Sequence, residues 1–103
     1  MNGEVITPEM AKQLMDASNN LVILDVREED EFKEGHVKNA IQLSYTEIEE
    51  KAESILKDKN QLILVYCRSG RRSAVAVKKL INLGYTNIKD FGGILSWPYE
   101  IVK

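Results

Sequence analysis

The 103 residues contain one cysteine, one histidine, one tryptophan and two prolines. A lone cysteine excludes a disulfide within the chain and leaves no second thiol to resolve a sulfur bound to the first. One Cys and one His are too few soft ligands for a structural zinc, and no metal or other cofactor is expected. No apolar run nears the roughly 20 residues that span a bilayer. The opening MNGEVITPEMAKQ has no basic region leading into an apolar core, so no membrane association is expected and the cytoplasm is the default compartment. Repeats and low-complexity tracts are also missing, and a chain of this length is expected to form a single domain over residues 1–103 around one core.

A further absence concerns charge. Between Asp58 and Asp90 there is no acidic residue, while Lys59, Arg68, Arg71, Arg72, Lys78, Lys79 and Lys89 all fall there. The seven bases of the remaining chain face sixteen acids, a charge of −9, although the whole sums to −2. The basic segment holds the only cysteine, and a positive field around a crevice concentrates small anions there. Lys78 and Lys79 read as the solvated face of a helix. The three arginines cluster within five residues of Cys67. Nucleic acid is not an expected partner, since the net charge is negative and no aromatic-rich basic stripe occurs.

What is present is organised around residues 61–84. LILVYC is a continuous apolar run of strand length, RSGRR is a polar turn containing Gly70, and SAVAVKKLINLG is helical from about Ser73 until Gly84. Cys67 therefore stands at the end of a buried strand, before a loop and a helix N-terminus. Unpaired N–H groups and the helix dipole converge on such a position and favour a thiolate. The predicted helix buries Ala74, Val77, Leu80 and Ile81.

Along the rest of the chain, Glu4 to Ile6 is extended, and Thr7-Pro8-Glu9 opens a helix that runs to about Ala17. LVILDV, residues 21–26, is a buried strand, and Arg27 to Lys33 is a charged helical stretch anchored by Phe32 and closed by Gly35. His36 begins a loop, and a histidine there reads as a hydrogen-bonded structural residue. Ile41 to Leu43 is a strand; Thr46 and Glu49 have capping-box spacing, opening a helix with Ile48, Ala52, Ile55 and Leu56 on one face. Asn87 to Phe91 is the last strand, before Gly92-Gly93 and a short helix interrupted by Pro98, in which Trp97 and Tyr99 read as core packing. Strands separated by helices imply an α/β domain with a parallel sheet, whose ligands bind at the carboxyl ends of the strands. Cys67 and the Asp25–Arg27 pair lie at such ends.

Four segments, LDVR at 24–27, EFKEGHVKNA at 31–40, YCRSGRRS at 66–73 and FGGILSW at 91–97, occur in an order and spacing that resembles a single-domain rhodanese, a thiosulfate sulfurtransferase module. The resemblance covers nearly the whole chain. It implies a three-layer α/β fold with a mostly parallel five-stranded sheet flanked by helices. It also implies that Cys67 takes the outer sulfur of a donor as a persulfide and passes it to a nucleophilic acceptor. Asn39 stands where the family usually has glycine, a change that Asn tolerates because it accepts positive φ.

Independently of the resemblance, sulfur transfer needs a thiolate, a cradle for a persulfide anion and cations for an anionic donor. Cys67 supplies the first, the N–H groups of Arg68, Ser69, Gly70, Arg71, Arg72 and Ser73 the second, and the three arginines the third. Of these, Arg68 or Arg71 is expected to face the donor and Arg72 to hold the loop. Asp25 either accepts hydrogen bonds from the loop or from arginines, supporting the site with Arg27, or is simply a buried carboxylate paired with Arg27. The expected partners are a small anionic sulfur donor such as thiosulfate or a persulfide, and cyanide, a thiol or a protein as sulfur acceptor. The alternative enzyme is a cysteine-dependent phosphatase or arsenate reductase, whose signature places arginine after five intervening residues. Here Arg72 follows Cys67 after four, which makes a tighter cradle. A non-catalytic rhodanese-like interaction module is the remaining alternative.

Overall fold

The computed structural model describes residues 3–103. Five strands form a fully parallel sheet: β1 (Gly3–Val5), β2 (Leu21–Asp25), β4 (Ile41–Gln42), β5 (Leu62–Cys67) and β6 (Ile88–Gly93), in the spatial order β1-β6-β5-β2-β4. The central position of β5 explains its unbroken apolar sequence, since both of its faces are covered. Ile63, Val65 and Cys67 point into one core with Ile48 and Ala52 of α3 (Ile48–Ile55) and Ala76, Val77 and Leu80 of α4 (Arg71–Asn82). Leu64 and Tyr66 point into the other, with Ala11 of α1 (Pro8–Ala17), Phe91 and Trp97; Phe32 of α2 (Glu29–Glu34) packs against it. The two-residue alternation of the strand thus puts the sulfur on the α4 side of three layers.

The helix starts follow local chemistry, with some departures from the sequence reading. Thr7 Oγ1 accepts from the Met10 N–H (3.1 Å) ahead of Pro8, as its capping position predicts. The predicted pairing of Thr46 with Glu49 does not form. Ser44 is the cap instead, its Oγ accepting from the Thr46 N–H (3.2 Å), and a 3-10 turn at Tyr45–Glu47 leads into α3. Ile55 is consequently exposed rather than on the buried face. The helix after the cysteine loop begins at Arg71, because Gly70 adopts φ 109 and turns the chain into the helix at once. Ser73 then points inward, with Ala76, Val77 and Leu80 one and two turns later, which rotates Ala74 out to solvent.

His36 and Val37 are not loop but a two-residue strand, β3, paired antiparallel with β7 (Ile101–Val102). His36 stacks on Phe32 with ring centroids 3.7 Å apart, and its Nδ1 lies 2.8 Å from the Phe32 carbonyl oxygen, a structural role as the sequence suggests. Asn39 does adopt a positive φ, of 71. The terminal helix is reduced to a 3-10 turn, Ile94–Ser96, that ends before Trp97 and Pro98. Trp97 is buried against Phe91.

Buried polar groups tie the layers together. Asp25, fully buried at the end of β2, accepts from the Arg27 N–H (2.9 Å), from Arg27 Nη2 (2.7 Å) and from the Tyr66 hydroxyl (2.7 Å). Arg27 Nη2 also donates to the Gly35 carbonyl (2.7 Å), and the Tyr66 oxygen accepts from the Val37 N–H (3.0 Å). One phenol therefore joins β5, β2 and β3. Tyr66→Phe would leave the Val37 N–H and one Asp25 oxygen short of a partner in the interior. The expected cost is about 1–3 kcal/mol, read as a lower urea midpoint with an unchanged m value.

Candidate active site

The loop between β5 and α4 is built to present N–H groups to one atom. The Gly70 N–H donates to Cys67 Sγ at 3.0 Å. Cys67 keeps 1% of its surface, so the sulfur lies on the floor of the loop. Burial, the largest single influence, pushes the Cys67 thiol up. Hydrogen bonds from the N–H and hydroxyl of Ser73 and from the N–H groups of Gly70 and Ser69 together outweigh it, and the thiol lies below its ordinary value. The loop thus shifts the thiol toward the thiolate, the direction expected from the strand-loop-helix pattern.

A close backbone approach holds this loop in shape. A bulge in β6 shifts the register, so that Val65 faces Asp90 but Cys67 faces Gly93, and Gly92 takes φ 91. The β6 backbone then crosses so near the loop that a side chain on Gly93 would put Cβ 2.0 Å from the Arg68 carbonyl oxygen. That oxygen accepts from the Leu95 N–H (3.2 Å). The glycine pair of FGGILSW thus has two distinct duties: Gly92 supplies the backbone turn and Gly93 the clearance.

Around the loop the arginines divide. Arg68 and Arg71 are exposed. Arg72 is gripped by Glu31 of α2, with Nη1–Oε1 and Nη2–Oε2 distances of 2.7 and 2.9 Å. The Arg72 guanidinium holds the Glu31 carboxyl at about 2, against partial burial. The other acids of the chain reach the basic segment in the same way. Lys59 pairs with Glu53, Lys79 with Glu49 and Lys89 with Glu4. Among the described residues, four of the seven bases are therefore compensated, and the cations beside Cys67 that have no ion pair are Arg68 and Arg71. An open crevice of about 280 Å³ adjoins Arg68, lined also by Arg27, Glu31, Glu34, Gly35, Ile94 and Ile101.

Asp25 does not contact the cysteine loop. Its oxygens are occupied by Arg27 and Tyr66, and the pair supports the site only by fixing the strand end and the Gly35 turn. The sequence reading missed a different carboxylate, Asp90. It is buried on β6, its Oδ1 accepting from the Gly92 N–H (2.9 Å) and its Oδ2 lying 3.2 Å from Ser73 Oγ. Burial pushes the Asp90 carboxyl up, against those hydrogen bonds. Its signal was available in the alternation of β6, because Asp90 shares the inward face with the buried Ile88.

Comparison with known proteins agrees with the site. The model of the Rhodanese-like domain matches residues 7–99. Thiosulfate sulfurtransferase PspE of Escherichia coli is 35% identical over 80 residues, covering 78% of this chain and 77% of that protein. Thiosulfate sulfurtransferase GlpE of Coxiella burnetii is 34% identical over 79 residues, covering 76% and 72%. Among solved structures, a rhodanese-related protein from Thermoplasma volcanium superposes with a TM-score of 0.82 at 32% identity, covering 96% of this chain and 97% of that one. A rhodanese from E. coli, solved with anions, gives a TM-score of 0.74 at 33% identity, covering 80% and 96%. With its parallel five-stranded sheet, its cysteine loop and these likenesses, the chain belongs to the rhodanese-like family and is a sulfurtransferase of that type.

Proposed function

We propose that the protein moves a sulfane sulfur from thiosulfate or a persulfide donor to cyanide or a thiol, including a protein thiol, through a persulfide on Cys67. The observation that carries this reading is the loop N–H aimed at Cys67 Sγ, 3.0 Å away, within a cradle that lowers the thiol pKa. With thiosulfate, the Cys67 thiolate attacks the outer sulfur, the S–S bond of the donor breaks with its electron pair, and sulfite leaves. The product is a Cys67 persulfide anion, held by the N–H groups from Arg68 to Ser73. Cyanide then attacks the outer sulfur, takes it as thiocyanate and returns the thiolate. No proton need be moved in either step, consistent with a loop that needs no base.

Arg68 and Arg71 are assigned to the donor anion, being exposed and uncompensated, and Arg72 to the loop, because Glu31 occupies its guanidinium. That engagement also weighs against a phosphatase, which needs its loop arginine on the phosphoryl oxygens.

Incubation with thiosulfate should convert the protein into a species heavier by one sulfur atom in intact-mass spectrometry without reductant, and cyanide should remove it. The adduct should persist because the chain has no second thiol to release it. Cys67→Ser should gain nothing; a wild type with a free thiol that gains no sulfur from thiosulfate or a small persulfide defeats the proposal. A phosphatase would instead hydrolyse an aryl phosphate, and an interaction module would do neither. Arg68→Ala or Arg71→Ala should raise KM for thiosulfate more than it lowers kcat, with little change for a neutral donor. Added salt should act in the same direction as these substitutions. For pH, a lowered thiol pKa means that the reactive form survives to more acidic solution. The rate of Cys67 alkylation should therefore rise with pH about a midpoint below the roughly 8.5 of a free thiol.

A further inference from the structure

The crevice beside the cysteine loop is not uniformly positive, although the chain segment that holds the loop is. Its walls carry two guanidiniums, Arg27 and Arg68, and two carboxylates, Glu31 and Glu34. Two of these four charges are matched by groups of the fold. Arg27 donates to Asp25 from Nε and Nη2, and Glu31 accepts from both Nη atoms of Arg72. Arg68 and Glu34 are exposed, and among the described residues neither has an ion-pair partner, each other included. One positive and one negative charge therefore remain unmatched in a single crevice.

The crevice lies where a substrate of Cys67 would bind. Arg68 follows Cys67 directly, and Ile94 follows Gly93, the residue opposite Cys67 across the sheet. Ile94 and Ile101 add apolar surface to the lining. Its volume of about 280 Å³ falls just short of the roughly 300–1,000 Å³ that holds drug-sized ligands, and suits a molecule the size of an amino acid. Thiosulfate matches only part of this lining, because a dianion drawn to Arg68 is repelled by Glu34. Cyanide is too small to meet both charges. A molecule with a carboxylate, an ammonium, a short methylene stem and a thiol answers every part: the guanidinium fork suits a carboxylate, and Glu34 suits the ammonium.

We propose that this crevice is the acceptor subsite for a zwitterionic amino thiol of cysteine's type, with Arg68 taking its carboxylate and Glu34 its ammonium. The inference rests on the transfer reading above and names the substrate class of its second step. The acceptor thiolate attacks the outer sulfur of the Cys67 persulfide, and the S–S bond to Cys67 Sγ breaks with its electron pair left on Sγ. The acceptor departs as its own persulfide, any proton on the outer sulfur travelling with it, and no oxidant or reductant is consumed. In the reverse direction the same step makes an amino-acid persulfide a donor. Glu34 is then a specificity residue, favouring the zwitterion and opposing a simple anion.

The test loads the protein at saturating thiosulfate, removes the donor, and follows discharge of the sulfur to a low concentration of acceptor by intact mass. Each acceptor is compared with itself across variants, so that its intrinsic thiol reactivity cancels. The acceptors are L-cysteine, N-acetyl-L-cysteine, which lacks the ammonium, and L-cysteine ethyl ester, which lacks the carboxylate. Glu34→Gln should slow discharge to L-cysteine and to the ester roughly two- to fivefold, the worth of an exposed ion pair, and should not slow discharge to N-acetyl-L-cysteine. Arg68→Gln should slow L-cysteine and N-acetyl-L-cysteine but not the ester. In the loading step, Glu34→Gln should lower the KM for thiosulfate. A Glu34→Gln variant that discharges to L-cysteine as fast as wild type, that slows all three acceptors alike, or that raises the thiosulfate KM would overturn the proposal. A protein that loads and yields its sulfur to cyanide without this pattern defeats the zwitterion subsite alone; one that never loads defeats the transfer reading and the subsite with it.

Discussion

Lowering the pKa of a sulfur that retains 1% of its surface is the demand to which the rest of this structure answers. Burial alone would push the Cys67 thiol up, and donors of the loop, chiefly its N–H groups, reverse that. Their convergence depends in turn on one backbone contact, the crossing of Gly93 over the Arg68 carbonyl, where no β-carbon fits. A methyl there would push the loop away from β6 and turn its donors off the sulfur. The bulge, the positive φ of Gly92 and the Leu95 N–H on the same carbonyl are further parts of this one contact. The fold supplies the sheet; the clearance at Gly93 turns a strand end into a cradle.

The distribution of charge follows a related logic. A stretch of seven bases without an acid is an expensive surface unless something answers it, and four glutamates from outside the stretch do. Surface pairs of this kind contribute little stability, in general about 0–1 kcal/mol each. Their greater effect here is selection. By compensating Lys59, Arg72, Lys79 and Lys89 they leave the residual positive potential at Arg68 and Arg71, next to the sulfur. The Arg72–Glu31 pair also ties α2 to the first turn of α4, so the segment that follows the Asp25–Arg27 corner is linked to the cysteine loop.

Much of this was legible in the sequence, and the parts that were not share a cause. Continuous apolar runs at 21–26 and 62–66 announced central parallel strands, and Gly70 announced the turn, because each depends on local chemistry alone. The strand pairing of His36 was hidden, since its partner Val102 lies 66 positions away and both strands have only two residues. The start of α3 was misread because Ser44 and Thr46 both offer a hydroxyl; Ser44 caps the 3-10 turn at Tyr45–Glu47, and α3 follows from Glu47 without a side-chain cap. The inward phase of α4 could not be set until the helix start was known, and a shift from Ser73 to Arg71 exchanged Ala74 for Ala76 on the buried face. For the site, Cys67 and its loop were visible as a motif. The compensation of Arg72 by Glu31 was not, because ion pairs 41 positions apart leave no periodic trace.

The two buried aspartates show why residue type alone could not assign roles. Asp25 and Asp90 lie on the two strands that flank β5, both are almost wholly enclosed, and each accepts from an N–H two residues on. What separates them is the third partner. Asp25 has a guanidinium across two oxygens, so its negative charge is matched within the same knot that fixes Tyr66 and Gly35. Asp90 has a serine hydroxyl, which brings no charge. A matched carboxylate is a fixed structural charge and can be placed anywhere in the core that geometry allows. An unmatched one is held by neutral donors alone, and burial pushes its carboxyl up. The difference between the two carboxylates thus reduces to whether an arginine or a glycine stands two residues downstream.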